Sequence, residues 1–158
     1  DATSIDPALL TLEVTETIFL GDNSRALSVL DELKSIGVKL AIDDFGTGYS
    51  SLSYLTALQA DSVKIERTFT AGLAEAPAGA AVVTAVVELG HTLGMTVTAE
   101  GVETAEQHHR LSDLGCDYCQ GTYFAGPMSV AAVDTLIRSQ ASRGDHRLPV
   151  DATMTGSS

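Results

Sequence analysis

Val38-Lys-Leu-Ala-Ile-Asp-Asp-Phe45 is an almost wholly apolar run that ends in two adjacent carboxylates. Val38–Ile42 reads as a strand buried on both faces, because such strands are near-continuous in apolar residues. Three other segments are built alike: Leu10-Thr-Leu-Glu-Val-Thr-Glu16, Ser62-Val-Lys-Ile-Glu66 and Met95-Thr-Val-Thr-Ala-Glu100. Helix-like stretches separate them, and no hairpin signal joins them, so the strands are expected to be parallel. Acidic residues at the strand ends place charge where barrel and other α/β enzymes gather their catalytic groups. Carboxylates forced together repel unless a cation sits among them. The pattern therefore points to a divalent-metal site and to hydrolytic or electrophilic chemistry.

Outward from these segments the chain reads as a β-α-β-α series. A first strand spans about residues 10–15. Asp22 or Asn23 caps a helix carrying Leu27, Leu30 and Leu33, stopped by Gly37. A loop starts at Asp43 and runs to Ser51, and a short helix then carries Leu52, Leu55 and Leu58. A third strand is expected at about 62–66. Pro77 and Gly79 precede a long apolar helix from Ala80 to about Leu93, closed by Gly94. Met95–Ala99 is the fourth strand. Thr104 and Gln107 form a T-x-x-Q capping box for a helix reaching Leu114 and Gly115. Cys116–Cys119 begins a fifth strand, and Ser129 caps a last helix bearing Val133, Leu136 and Ile137. From about Gln140 apolar periodicity is lost, which predicts one domain over 1–139 and a disordered tail over 140–158.

The fold class is thus α/β, a partial TIM-type (β/α) barrel with about five parallel strands. A complete barrel needs about eight strands and typically about 250 residues, so the N-terminal part of the barrel is expected to precede Asp1. The strands near 10–15 and 116–119 would then be open edges. Inward residues such as Leu40, Ile42, Val63 and Val97, or their alternating neighbours, would lack packing partners. Such edges predict marginal stability, aggregation or a homodimer that approximates a closed barrel.

The apolar content of 44% suits a packed core, while the formal net charge is −12. No basic stripe is present to hold a nucleic-acid backbone, which argues against polymeric DNA or RNA. A small anionic ligand remains compatible if metal ions screen the acids. No apolar run approaches the roughly 20 residues that cross a bilayer, and no signal-peptide pattern opens the chain. A cytoplasmic location is expected. Cys116 and Cys119 form a lone C-x-x-C without the second pair that a zinc ribbon needs, and they read as small residues of a buried strand. His91, His108 and His109 have no metal-ligand spacing.

Several side chains could carry chemistry. Glu13 shares a strand face with Thr11 and Thr15 and is either a metal-facing group or a solvated edge carboxylate. Asp43 and Asp44 diverge from neighbouring positions, as two metals about 3.5–4 Å apart would require; a helix cap or Asx-turn is the bland alternative. Lys64 and Glu66 share one face, so Lys64 either holds a water or phosphate oxygen or forms a structural ion pair. Glu100 ends the fourth strand as a ligand or base. Glu103 would merely favour the positive N-terminus of the next helix. Gln120 either presents its amide to a purine or marks a turn. A barrel enzyme acting on an enolisable acid, with Lys64 as base, would need a capping domain that nothing here supplies.

Taken together, Leu12-Glu-Val-Thr-Glu16, Asp43-Asp-Phe-Gly-Thr-Gly-Tyr-Ser-Ser-Leu52, Lys64-Ile-Glu66, Ala99-Glu-Gly-Val-Glu-Thr104 and Gln120-Gly-Thr-Tyr-Phe124 resemble the C-terminal half of an EAL domain. The resemblance runs from about residue 5 to 138, with the motifs in family order. It implies a cyclic di-GMP phosphodiesterase of bacterial signalling, which hydrolyses one phosphodiester to give pGpG with two Mg²⁺ or Mn²⁺ ions. Glu13 and Asp43 would be metal ligands, with Asp44 serving a second metal. Glu16 would anchor the loop after Asp43, and Glu103 would support it. Lys64 would orient the attacking water, Glu100 would be the general base or a metal-coupled acid, and Gln120 would contact a guanine. Two departures stand out. The chain has no counterpart of the family's Glu-Ala-Leu stretch or of its early-strand metal-binding Asn, so the resemblance implies that these residues alone are inactive. The family also usually has Asp where this chain has Glu66, whose longer arm can still reach a metal but shifts the carboxylate. The alternative that follows is a catalytically inactive EAL-like module binding cyclic di-GMP or a partner protein.

Overall fold

The computed structural model describes residues 4–15, 24–46, 55, 58–73 and 77–143. A 3-10 turn at Pro7–Leu9 leads into β1 (Thr11–Thr15), α1 (Ser24–Ser35), β2 (Lys39–Phe45) and β3 (Ser62–Ile65). Then follow α2 (Arg67–Ala71), α3 (Pro77–Thr92), β4 (Thr96–Ala99), α4 (Ala105–Asp113), β5 (Tyr118–Cys119) and α5 (Val130–Arg143). The strands form one parallel sheet in the order β1-β2-β3-β4-β5. This is the expected α/β arrangement of a partial (β/α) barrel, with β1 and β5 at the sheet's two edges.

Cross-strand register fixes which side chains share a face. Val14, Ile42, Val63 and Val97 lie on one ladder, and together with Leu40, Ile65 and Ala99 they are buried. Their core includes Leu30 of α1, Val83, Val86 and Val87 of α3, and Leu111 of α4. Leu40, Ile42, Val63 and Val97 therefore face the helices, so of the two sets named from sequence it is their alternating neighbours that turn away from the helix-covered core. The alternating residues Glu13, Lys39, Ala41, Ser62, Lys64, Thr96 and Thr98 line the opposite, concave face. The reason is visible in β2, where Lys39 and Asp43 alternate with Leu40 and Ile42. A period of two separates an apolar face under helices from a polar face. Within this chain β2 is buried by helices on one side, not by apolar layers on both.

α3 turns Val83, Val86, Val87 and Gly90 inward, the spacing of one helical stripe. The absent side chain at Gly90 sets how deeply the helix lies. A Cβ there would stand 2.6 Å from Val97 Cγ2 and 3.4 Å from Val63 Cγ1. α3 starts at Pro77, ahead of the expected Ala80, because proline suits a first turn whose N–H groups lack partners. α1 and α3 end in the same way, at Gly37 and Gly94 with φ of +100° and +75°, a left-handed conformation that glycine adopts at little cost. The Thr104–Gln107 capping box forms as read. α5 continues to Arg143, past Gln140, and leaves Val130, Val133 and Ile137 exposed. The cap at Asp22 or Asn23, most of the segment from Thr47 to Ala57, and the tail beyond Arg143 lie outside the described residues. Leu55 and Leu58 are described, and both are buried.

One structural device occurs twice. Asp61, just before β3, accepts a hydrogen bond from the Leu40 N–H at 2.8 Å and lies 3.3 Å from Lys34 Nζ. Asp117, just before β5, accepts one from the Val97 N–H at 2.7 Å and lies 3.0 Å from His91 Nε2. Each aspartate ties the start of its strand to the neighbouring strand and to the end of the helix preceding that neighbour. Lys34, Gly37, Leu40 and Asp43 thus recur as His91, Gly94, Val97 and Glu100 at one constant offset. Asp43 and Glu100 hold equivalent places toward the C-terminal ends of β2 and β4.

Candidate active site

Three carboxylates surround one ammonium. Lys64, in the middle of β3, lies 2.5 Å from Glu100 Oε1, 2.7 Å from Glu13 Oε1 and 3.4 Å from Asp43 Oδ1. Its side chain is 10% exposed, against 51% for Glu13, 23% for Asp43 and 24% for Glu100. Register accounts for the convergence. Lys64 pairs with Thr98 on β4, while Glu13 pairs with Ala41 and Thr15 with Asp43 across β1 and β2. The Glu100 N–H donates to the Ile65 carbonyl, so Glu100 begins directly beside β3. Burial is the largest single influence on Lys64 and favours its neutral form. Hydrogen bonds to Glu100 and Glu13, with attraction from Glu100 and Asp43, outweigh it and raise its pKa above the ordinary lysine value.

Asp43 and Asp44 do not open a loop, as the sequence suggested. They lie inside β2, at a bulge where the pairs Ile42–Val63 and Phe45–Ile65 leave two residues opposite Lys64 alone. Asp44 takes φ of +55°. The extra residue returns Phe45 to the helix side, where it is buried, and aims the two carboxylates differently, as bulges beside functional sites do. Asp43 Oδ1 is buried and accepts no hydrogen bond.

Glu66 does not join Lys64 on the concave face. β3 ends at Ile65, and Glu66 caps α2, accepting from the Thr68 N–H at 2.9 Å and from the Thr68 hydroxyl. The helix follows the strand at once, so the backbone turns before a second alternation brings Glu66 round. The Glu103 N–H donates to Gln107 Oε1 at 2.8 Å within the α4 cap, and Glu103 is exposed. Gln120 holds the strand end, its N–H donating to the Ala99 carbonyl at 2.8 Å and its carbonyl accepting from Val102. Glu16 lies outside the described residues. Thr98 and Tyr118, not singled out from sequence, share the Lys64 ladder. With Glu13, Lys64 and Gln120 they line a cavity of about 460 Å³ on the concave face. A second cavity of about 570 Å³ continues past the β5 edge over Thr98, Tyr118, Gln120 and Phe124. The period-two polarity of Thr96-Val-Thr-Ala was the signal for Thr98.

Oxygen donors of this kind suit a hard divalent cation, and the buried Asp43 Oδ1 without a hydrogen bond fits that role. Among the described residues no three acidic, imidazole or thiol groups already form a closed cage; Lys64 stands where such a cage would converge.

Residues 1–127 match the family model for the EAL domain. The chain belongs to the EAL domain family. It is 47% identical over 125 residues to the bifunctional diguanylate cyclase/cyclic di-GMP phosphodiesterase MucR of Pseudomonas aeruginosa, covering 79% of this chain and 18% of MucR. Among solved structures, the MucR phosphodiesterase in complex with c-di-GMP superposes with a TM-score of 0.78 at 45% identity, covering 82% of this chain and 53% of that one. The manganese/cy-diGMP complex of Klebsiella pneumoniae BlrP1 gives a TM-score of 0.71 at 41% identity, covering 80% and 32%. The chain therefore spans about half the MucR phosphodiesterase structure and a smaller share of the whole relatives. Among the described residues no helix is long and apolar enough to cross a membrane.

Proposed function

We propose that this chain is the C-terminal part of a cyclic di-GMP phosphodiesterase domain, acting in the cytoplasm on a small anionic substrate in bacterial second-messenger signalling. The observation that carries the proposal is the ring of Glu13, Asp43 and Glu100 around Lys64. Divalent cations, Mg²⁺ or Mn²⁺, would supply Lewis-acid stabilisation of charge on the phosphoryl oxygens. Glu13 and Asp43 would hold one, and Asp44 a second. Glu66 would join them by giving up its cap on α2.

The remaining roles belong to the chain's own groups. Glu100 begins beside β3 with its carboxylate against the Lys64 ammonium, and would take the proton of the attacking water. Lys64, held protonated, orients that water or a phosphoryl oxygen by donating to it. The strand-end backbone fixes Gln120 at the junction of the two cavities, where its amide can read a guanine edge. Tyr118 and Phe124 line the apolar remainder of that space.

The test is conversion of cyclic di-GMP to pGpG by the protein carrying this domain, with Mn²⁺ or Mg²⁺, compared with its Glu100→Gln variant. A loss of about 10²-fold or more supports Glu100 as the base; retention of more than about a tenth of the activity removes it from that role. The position of Glu66 as a helix cap favours a second reading, a non-catalytic module that binds cyclic di-GMP. Binding without turnover would select it.

A further inference from the structure

We propose that Lys64 is the resident counter-ion of the carboxylate cluster, holding Glu13, Asp43 and Glu100 in place until a divalent cation displaces its ammonium. The inference rests on the reading of this cluster as a metal site and concerns how that site is kept ready. Three carboxylates converge from β1, β2 and the end of β4. Without a cation their mutual repulsion would push the strand tips apart, because two of them are largely shielded from water. Lys64 contacts all three at 2.5 to 3.4 Å.

The same contacts make the ammonium a competitor. A divalent ion reaching Glu13 and Asp43 would meet a fixed positive charge within a few ångströms, so both cannot keep these contacts at full strength. Lysine suits such an exchange better than arginine, being a compact charge on a flexible stem without a planar fork to satisfy. It also has somewhere to go. The cavity it borders is lined by Ser62, Thr98, Tyr118 and Gln120, which supply hydroxyl and amide oxygens. From there it can still donate to a water or phosphoryl oxygen. Lys64 is thus a positioning residue in the metal-free state and a substrate-facing residue in the loaded state.

The experiment is a calorimetric Mn²⁺ titration of the protein carrying this domain and of its Lys64→Gln variant, with thermal unfolding of each in chelator and in Mn²⁺. With the competing cation gone, Lys64→Gln should bind Mn²⁺ roughly tenfold more tightly, within the usual range for two coupled ligands. It should also melt lower than wild type in chelator and gain more from Mn²⁺. An affinity within threefold of wild type, or weaker, overturns the proposal while leaving the metal site standing. If Lys64→Gln is unfolded in chelator, recovery of a cooperative transition on adding Mn²⁺ supports the exchange, and failure to recover overturns it. Absence of Mn²⁺ binding by both proteins removes the metal-site reading itself, and the proposal with it.

Discussion

Replacing Gly90 by alanine tests the packing that holds β4 under α3. The new methyl would stand 2.6 Å from Val97 Cγ2 and 3.4 Å from Val63 Cγ1, while carbon atoms in good contact lie about 3.5–4.0 Å apart. The helix must therefore lift by about 1 Å, or Val97 must leave its rotamer. Overpacking of this kind costs about 1–3 kcal/mol. Alanine regains about 1 kcal/mol of helix propensity, so Gly90→Ala alone should be destabilising by about 0–2 kcal/mol. Val97→Ala alone removes two fully buried methyl groups, at about 0.8 kcal/mol each for transfer plus a cavity term. In the double variant the methyl at position 90 occupies space vacated at 97, so the two changes should offset each other by at least about 1 kcal/mol. The propensity gain cancels in the double-mutant cycle. Urea unfolding of the four proteins gives the cycle directly. Strictly additive losses, with a coupling below about 0.5 kcal/mol, would mean that Gly90 does not set the depth of α3, and the account of this core would fail.

Three other outcomes are expected. Asp117 is held below the usual carboxylate range; burial opposes this, and the Val97 N–H and His91 outweigh it. A depressed carboxyl contributes stability above its unfolded pKa of about 3.9 and loses it as pH falls through the folded value. Asp117→Asn should therefore flatten the fall in stability below about pH 4, and an unchanged profile would refute the link. Burial pushes the Cys116 thiol up to about 12, so at pH 8 it should react with iodoacetamide more than tenfold slower than an unfolded-chain cysteine, whose pKa is about 8.5; equal rates by mass spectrometry would show that its surroundings are open. In the protein carrying this domain, Glu66→Asp should lower the Mn²⁺ concentration for half-maximal activity by about threefold or more, because a shift of about 1 Å at a reacting site has large effects. Its stability should stay within about 0.5 kcal/mol, since aspartate also caps helices well. An identical metal titration would show that the longer arm already fits.

Much of this architecture was legible in the chain. Gly37 and Gly94 marked two helix ends, Thr104 and Gln107 announced a cap, and the acidic ends of β2 and β4 pointed to the site. What escaped depends on partners that one segment does not contain. The bulge at Asp43 and Asp44 exists only against β3, because it is a mismatch of two residues with one. Glu66 continues the alternation of Lys64 as written, and only the immediate start of α2 turns it into a cap. The direction of Leu40 and Ile42 was left open between them and their alternating neighbours, because Ala41 between them made the strand read as apolar throughout. The recurrence of Lys34, Gly37, Leu40 and Asp43 as His91, Gly94, Val97 and Glu100 was readable without any structure. It was obscured by conservative exchanges and by the unequal loops that follow.

That recurrence turns the sheet into a ruler. Asp43 and Glu100 belong to strands with β3 between them, so their backbones are separated by two strand spacings, about 9–10 Å. This distance is set by interstrand hydrogen bonds and locked at the far end by Asp61 and Asp117. Loops at the strand tips can lengthen, shorten or change composition without altering the gap between the two carboxylates. What evolution can tune there is reach: one methylene more or less on an arm whose anchor does not move.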